Sequence, residues 1–295
     1  MGKTTIAAAL VNDAGIRSSF GKIVWVSIGQ EPDIRELQES IFVQLTDAAL
    51  PESANTPALV MAALRSAAKD SSLLLVLDDV WEPKHEKALN CIDQDNSSRL
   101  LVTTRVRGLL KNAAEVNVGI LSEQEALNLL ISSAEVDQED IDDEETHIAS
   151  EIVELCGRLP LTLAIAGGMV LDNGQSFTDD ILEVMKEQNE LEDEEGLTVE
   201  QRVISSSVKM MVQSAGKNKE LVKTVFEFFS VFPEDVPVPA AFFNKMAPLL
   251  SSDKSEKKAR LAVGSSLSVL LKYNLVKGSL VSGNGVFMHV SKQHA

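Results

Sequence analysis

Three short stretches carry residues suited to phosphate chemistry. Gly2-Lys3-Thr4-Thr5 matches the end of the phosphate-binding pattern G-x-x-x-x-G-K-[ST]. In that pattern backbone N–H groups cradle phosphate oxygens, the lysine reaches the β- and γ-phosphates, and the hydroxyl, here Thr4, binds Mg²⁺. A helix starting at this point adds the positive end of its dipole. The tripeptide alone is common, and an ordinary helix start reads the same. Leu73-Leu74-Leu75-Val76-Leu77-Asp78-Asp79 is more informative. An apolar strand ending in an acid places a Mg²⁺-binding carboxylate beside a nucleotide. A second acid can position or deprotonate an attacking water. A helix cap behind a buried strand is the alternative; combined with Gly2-Lys3-Thr4, the nucleotide reading is favoured. Thr103-Thr104-Arg105 sets an arginine at the end of another such strand. Ligands of parallel sheets bind at that end, and a guanidinium there can read a γ-phosphate; a surface arginine is the alternative.

These groups act together only if a sheet and its helices hold them. Ile23-Val24-Trp25-Val26 is a short β-rich run, and Ile34, Leu37, Ile41 and Leu45 follow at helical spacing. Leu73 to Leu77 is continuously apolar, as in a strand buried on both faces. Arg99 to Thr104 has the same character. Strands separated by helical stretches imply a parallel sheet with crossover helices. At Ser122 the pattern changes: Ser122-Glu123-Gln124-Glu125 is a capping box opening a helix. Ile148, Ile152 and Leu155 continue the helical period up to Gly157, and Pro160 suits the first turn of the next helix. The acidic residues 187–195, interrupted by Gly196, read as a linker or exposed bend. From about Val203 the chain is helical again, with Val225 to Phe232 ended by Pro233. Leu267, Leu270 and Leu271 sit on a further helix. Val276–Leu280 and Val286–Met288, around Ser282-Gly283-Asn284-Gly285, read as a hairpin. The organisation expected is an α/β nucleotide-binding domain over residues 1–120, an all-helical domain over 121–198 and a winged-helix domain over 199–295.

Composition narrows the function classes. Of 295 residues, 44% are hydrophobic and 24% charged, as in soluble globular chains. The apolar run Leu159–Leu171 is broken by Thr162 and falls short of the roughly 20 residues of a membrane span. No charged-then-apolar leader precedes Ile6. Cys91 and Cys156 are the two cysteines, which fits a reducing compartment, and a cytoplasmic location is expected. Residues 1–199 carry 14 Lys/Arg against 37 Asp/Glu, and residues 200–295 carry 13 against 7. The acidic part repels nucleic acid; the basic last third could tolerate it, although a solvated surface is the favoured reading. The four histidines have no metal-ligand spacing, and the acidic residues 135–145 lack the alternation and glycine of a calcium loop.

In order and spacing the motifs resemble the NB-ARC module of plant resistance proteins and animal apoptosome ATPases, within the STAND class of signalling ATPases. Gly2 to Thr5 is similar to the end of its Walker A loop, and Phe20 to Ser27 to the strand region that follows. Leu75 to Trp81 (LVLDDVW) is close to its Walker B signature, and Thr103-Thr104-Arg105 to its sensor-1 motif. Cys156 to Leu161 resembles its GLPL motif, Phe226 to Pro233 its FxxFSxFP segment, and Met288-His289-Val290 its terminal MHD motif. The likeness runs over essentially the whole chain.

The resemblance implies a phosphate-loop NTPase domain, a helical domain and a winged-helix domain around one adenine nucleotide, ADP or ATP, with Mg²⁺. Gly2, Lys3, Thr4 and Thr5 would hold its phosphates. Thr4 and Asp78 would bind Mg²⁺, and Asp79 would be the catalytic base. Arg105 would sense the γ-phosphate, Pro160 would lie against the adenine, and His289 would reach the β-phosphate of ADP and lock the module closed. Exchange of ADP for ATP would release the lock and permit self-association, with slow ATP hydrolysis. Two departures stand out: the loop is cut ahead of Gly2, and Val290 occupies the position of the family's Asp. The family loop often reads GMGGMGKTT, so Met1 fits its last Met. The parent protein is expected to extend upstream, and effector and repeat domains are expected on either side. The expected partners are an adenine nucleotide and further copies of the protein, with neither membrane nor nucleic acid. Two rival readings stay open. One is a non-catalytic interaction fragment unable to bind nucleotide. The other is a transcription regulator binding DNA through a basic winged helix.

Overall fold

The computed structural model describes residues 2–69, 71–92, 96–111, 113–193, 197–232, 238–251, 255–276 and 287–288. They divide into two compact units, residues 2–118 and the described residues from Gly119 onward.

The first unit runs α1 (Lys3–Asn12), α2 (Ala14–Ser19), β1 (Lys22–Gly29), α3 (Ile34–Thr46), α4 (Pro57–Ala68), β2 (Leu73–Val80), α5 (Pro83–Leu89) and β3 (Arg99–Val102). Its sheet is parallel, in the order β1-β2-β3. β2 takes the centre because Leu73 to Leu77 offers no polar face, and all five side chains are buried. β1 is an edge strand and alternates, burying Val24, Val26 and Ile28 and leaving the residues between more open. Helix α3 lays Ile41 and Leu45, one turn apart, onto this core, and α4 adds Val60 and Leu64. Asp33 opens α3 by accepting from the amides of Arg35 and Glu36, and Thr56-Pro57 opens α4 with a side-chain cap and an N1 proline. The register pairs Ser27 with Asp78 and Leu77 with Val102. The strands are parallel, so their carboxyl ends, with Asp78, Asp79 and Thr103, fall at one edge of the sheet.

The second unit is dominated by helices: α6 (Glu123–Ser133), α7 (Asp143–Leu155), α8 (Pro160–Asp172), α9 (Asp179–Asp193), α10 (Val199–Ser214) and α11 (Lys219–Phe228). There follow β4 (Val238–Pro239), α12 (Ala240–Leu250), α13 (Glu256–Lys272) and β5 (Phe287–Met288). One continuous core extends from Ala126 to Val276. Helix α8 lies within it, burying residues from Thr162 to Val170 on nearly every side. The apolar run Leu159–Leu171 is therefore a core helix, and no described helix is long and apolar enough to cross a membrane. Phe228, Phe229, Phe232, Phe242 and Phe243 pack ring against ring, with Phe229 and Phe243 centroids 4.9 Å apart.

A polar network fastens α8 to the end of α13. Asp172 accepts from Lys272 Nζ at 2.8 Å and Tyr273 Oη at 2.7 Å, and Asn274 Nδ2 donates to the Ala164 carbonyl at 2.8 Å. Burial opposes ionisation of Asp172, but hydrogen bonds from Lys272, Tyr273 and Ser214 outweigh it and hold the carboxyl below its ordinary range. A carboxyl lowered in the fold adds stability above its unfolded pKa and loses it as the pH falls through its folded value. Asp172→Asn is accordingly expected to lower the melting temperature near neutrality. It should also weaken the fall in stability below roughly pH 4, where free carboxyls titrate. Thermal melts across that range check this, and parallel curves for the two proteins would contradict it.

Some expectations need correction. The acidic stretch beginning at Glu187 is helical through Asp193 rather than a linker. Glutamate is a good helix former, and no glycine or proline occurs there before Gly196. Within the acidic residues 135–145, where no calcium loop was expected, Asp142 caps α7, and Asp143, Glu144 and Glu145 fill its first turn, where the dipole favours them. The expected hairpin lies outside the described residues apart from Val276 and Phe287–Met288. The latter pair antiparallel with Val238–Pro239, a partner the sequence did not signal.

Candidate functional site

Asp78 ends the apolar run of β2 and is 5% exposed. Two hydroxyls meet its carboxylate. Thr4 Oγ1 donates to Oδ1 at 2.9 Å and Oδ2 at 3.1 Å, and Thr103 Oγ1 donates to Oδ1 at 2.5 Å. The first joins residues 74 apart in sequence and brings the start of α1 to the end of β2. Gly2 precedes α1 with φ 85°, the left-handed region open to glycine. No side chain caps α1 and no acid sits in its first turn. The first amides, which a helix cannot satisfy internally, are left with Lys3 among them as groups for an anion. Thr4 and Thr5 are exposed, and Lys3 is half-buried.

Asp79, one residue before the end of β2, has left-handed backbone with φ 54°. Its N–H donates to Thr103 Oγ1 at 2.9 Å, so one hydroxyl serves both acids, accepting from Asp79 and donating to Asp78. Trp81 Nε1 donates to Asp79 Oδ2 at 2.9 Å, Arg105 Nε lies 3.6 Å from Asp79 Oδ1, and the Arg105 guanidinium carbon stands 5.3 Å from the Trp81 ring centroid. Thr104 Oγ1 donates to the Val80 carbonyl at 2.6 Å and accepts from the Val106 N–H at 3.0 Å, which turns the chain toward Arg105.

Mg²⁺ takes hard oxygen ligands, keeps several waters, and binds through one or two protein groups plus phosphates. The Thr4 hydroxyl and Asp78 carboxylate form such a set. Among the described residues no group of three or more His, Cys, Asp or Glu forms a protein-only cage, and nucleotide-borne Mg²⁺ needs none.

Of the residues singled out in the sequence, the first unit brings Thr4, Asp78, Asp79 and Arg105 into one chain of contacts, with Gly2, Lys3 and Thr5 beside Thr4 at the helix start. Pro160 belongs to the second unit, where it is the first residue of α8. It follows a corner in which Gly157 (φ 61°) and Arg158 (φ 54°) are left-handed and donate to the Glu154 and Val153 carbonyls. His289 and Val290 lie outside the described residues. Thr103 and Trp81 were named in the sequence only as parts of motifs, with no role of their own. For Thr103 the signal lies in the strand register and not in the local sequence: one position beyond the Leu77–Val102 pair, its hydroxyl meets the buried Asp78 carboxylate. Thr103→Val is expected to leave the Asp79 N–H without its partner and Asp78 with one donor fewer. A loss of about 1–3 kcal/mol, read by denaturant unfolding, is the predicted cost; an unchanged midpoint would contradict the shared-hydroxyl geometry.

The model of the NB-ARC domain family matches residues 1–140. Disease resistance RPP13-like protein 4 of Arabidopsis thaliana is 25% identical over 253 residues, covering 81% of this chain and 28% of that protein. Disease resistance protein At4g27190 of the same plant is 30% identical over 178 residues, 57% of this chain and 18% of that protein. Disease resistance protein RGA2 of Solanum bulbocastanum is 26% identical over 178 residues, 58% and 18% respectively. The chain thus spans about a quarter, or less, of the length of the curated relatives it matches. The NB-ARC domain family is thus what residues 1–140 of this chain match, and the curated relatives it resembles are named as disease resistance proteins of plants.

Proposed function

We propose that the chain is the nucleotide-binding switch region of a plant disease-resistance type signalling protein, taking ADP or ATP with Mg²⁺ at the amino end of α1. The observation that carries this reading is the contact of Thr4 Oγ1 with the Asp78 carboxylate. It joins the last hydroxyl of the phosphate-binding pattern to the acid at a strand end, the two oxygens that Mg·nucleotide requires. Gly2, Lys3, Thr4 and Thr5 hold phosphates through amides, ammonium and hydroxyls. Thr4 and Asp78 hold Mg²⁺, which supplies charge neutralisation of the β- and γ-phosphates. Asp79 orients the attacking water as general base, and Arg105 reads the γ-phosphate.

The finer reading follows the family. Residues 121–198 act as a helical domain with Pro160 against the adenine. Residues 199–295 act as a winged helix whose His289 meets the β-phosphate of ADP. Hydrolysis is slow, and exchange of ADP for ATP opens the module to self-association within a larger cytoplasmic protein. The family match over residues 1–140 and the names of the relatives support this reading. The test is nucleotide analysis of the purified protein carrying a whole phosphate loop. Acid-released ADP near one per chain is expected. Protein free of nucleotide that gives no heat with Mg·ADP or Mg·ATP would refute the proposal.

A further inference from the structure

The Asp79–Arg105 pair poses a question of mechanism. The group that would serve the attacking water is engaged with the group that would read the γ-phosphate, and a third side chain touches both. We infer that Trp81 is a positioning residue that holds Asp79 by its indole N–H and Arg105 by its ring, so that the base is uncovered only when a triphosphate draws Arg105 away. This rests on the nucleotide reading above.

Asp79 is fixed from two sides. Its backbone is left-handed at φ 54°, a conformation aspartate tolerates better than most residues, and Thr103 accepts its N–H. Of the carboxylate oxygens, Oδ2 accepts from Trp81 Nε1 at 2.9 Å. An indole N–H is a donor only, so it orients the carboxylate without competing as a base. Oδ1 is left to act, and Arg105 covers it at 3.6 Å.

The two holds differ in strength. The Trp81 bond is short and partly buried. The Arg105 pair is long, with Arg105 46% and Asp79 24% exposed, and solvent-accessible pairs of that kind are weak. The Trp81 face keeps the guanidinium beside the acid by cation–π attraction. A γ-phosphate offers a denser charge and bidentate acceptors, so it can draw Arg105 off Oδ1 while Oδ2 stays on the indole. ADP offers no γ-phosphate and leaves the pair closed. Hydrolytic competence is thereby tied to the presence of the phosphate to be cleaved.

The test uses the chain's two tryptophans, Trp25 and Trp81. In Trp25→Phe protein the emission reports Trp81 alone. Without nucleotide, Arg105→Leu is expected to change that emission. In protein with a whole phosphate loop, a non-hydrolysable ATP analogue should change it in the same direction, and ADP should not. Trp81→Phe keeps an aromatic face but loses the N–H. It should lower kcat for ATP hydrolysis at least about tenfold with nucleotide affinity within about twofold. Trp81→Leu also removes the ring that keeps Arg105 beside the acid, and should in addition strengthen ATP relative to ADP. Emission that ignores Arg105→Leu, or Trp81→Phe with unchanged kcat, would overturn the inference. Protein that binds neither nucleotide overturns the nucleotide reading itself, a result distinct from a Trp81 signal indifferent to Arg105.

Discussion

Lys3→Ala is expected to abolish measurable nucleotide binding, and Asp79→Ala to leave binding intact while nearly stopping hydrolysis. Lys3 is the first residue of α1, in a turn without acid or side-chain cap, so its ammonium is the only side-chain charge contributed there. A hydrogen bond to a charged group is worth about 1.5–3 kcal/mol, and a lysine bridging two phosphates makes more than one, so a loss of 100-fold or more in affinity is expected. Asp79 is different in kind. Asp78 is the acid that meets Thr4, whereas the Asp79 side chain meets Trp81 and Arg105. On the proposed roles, removing it would spare Thr4 and Asp78, the proposed Mg²⁺ ligands, and take away the proposed water-orienting group, a contribution typically of about 10²–10⁴ in rate. Calorimetry together with single-turnover hydrolysis, in protein with a whole loop, separates the two effects. Equal loss of binding in both variants would show that the two acids' roles are misassigned.

The largest effect on stability is expected from one methyl group. A Cβ on Gly168 would lie 2.6 Å from the Lys272 carbonyl oxygen and 2.7 Å from Tyr273 Cα. A Cβ on Gly167 would lie 2.4 Å from Ser133 Cβ and 2.8 Å from the Ser133 carbonyl carbon. Most of these obstacles are backbone, at the ends of α13 and α6, and cannot rotate aside. Glycine inside a helix ordinarily costs about 1 kcal/mol relative to alanine. On α8 the sign reverses, because forcing atoms into a packed core costs about 1–3 kcal/mol and occasionally more. Gly264 on α13 is the control, since a Cβ there meets nothing within 4 Å. Gly264→Ala is expected to raise the denaturation midpoint and Gly168→Ala to lower it substantially. Equal behaviour of the two would mean that α8 and α13 are not in this close contact.

Legibility in the sequence followed the strength of local signals. β2 was plain because five consecutive apolar residues admit only a strand or a short core segment, and two acids end it. Helix α3 was plain from Ile34, Leu37, Ile41 and Leu45, and α6 from its capping box, which is formed as expected. The site was legible as a set of residue types but not as a network. Spacing showed that Asp78 and Asp79 are adjacent. It did not show that a left-handed turn at Asp79 sends the two carboxylates to different partners. Thr103 serves both acids only through the register of β2 and β3, a tertiary fact. Helix α9 was lost because its acidic composition looked like a solvated linker, although glutamate favours helix. The β4–β5 pairing joins residues 50 positions apart, Val238 with Met288, and no local pattern announces such a contact.

The central claim is that Thr4 and Asp78 form the Mg²⁺ position of a nucleotide site, and the Mg²⁺ dependence of ATP affinity tests it most directly. In protein with a whole phosphate loop, ATP is titrated with and without Mg²⁺ against the native sequence and Asp78→Asn. Asparagine keeps the size and an acceptor oxygen for the Thr4 and Thr103 hydroxyls but carries no charge. The account predicts that Mg²⁺ tightens ATP binding to the native protein at least about tenfold, the scale of one charge-assisted contact. It further predicts that Asp78→Asn binds Mg²⁺-free ATP as well as the native protein and gains little from the metal. The same Mg²⁺ enhancement in both proteins would contradict it.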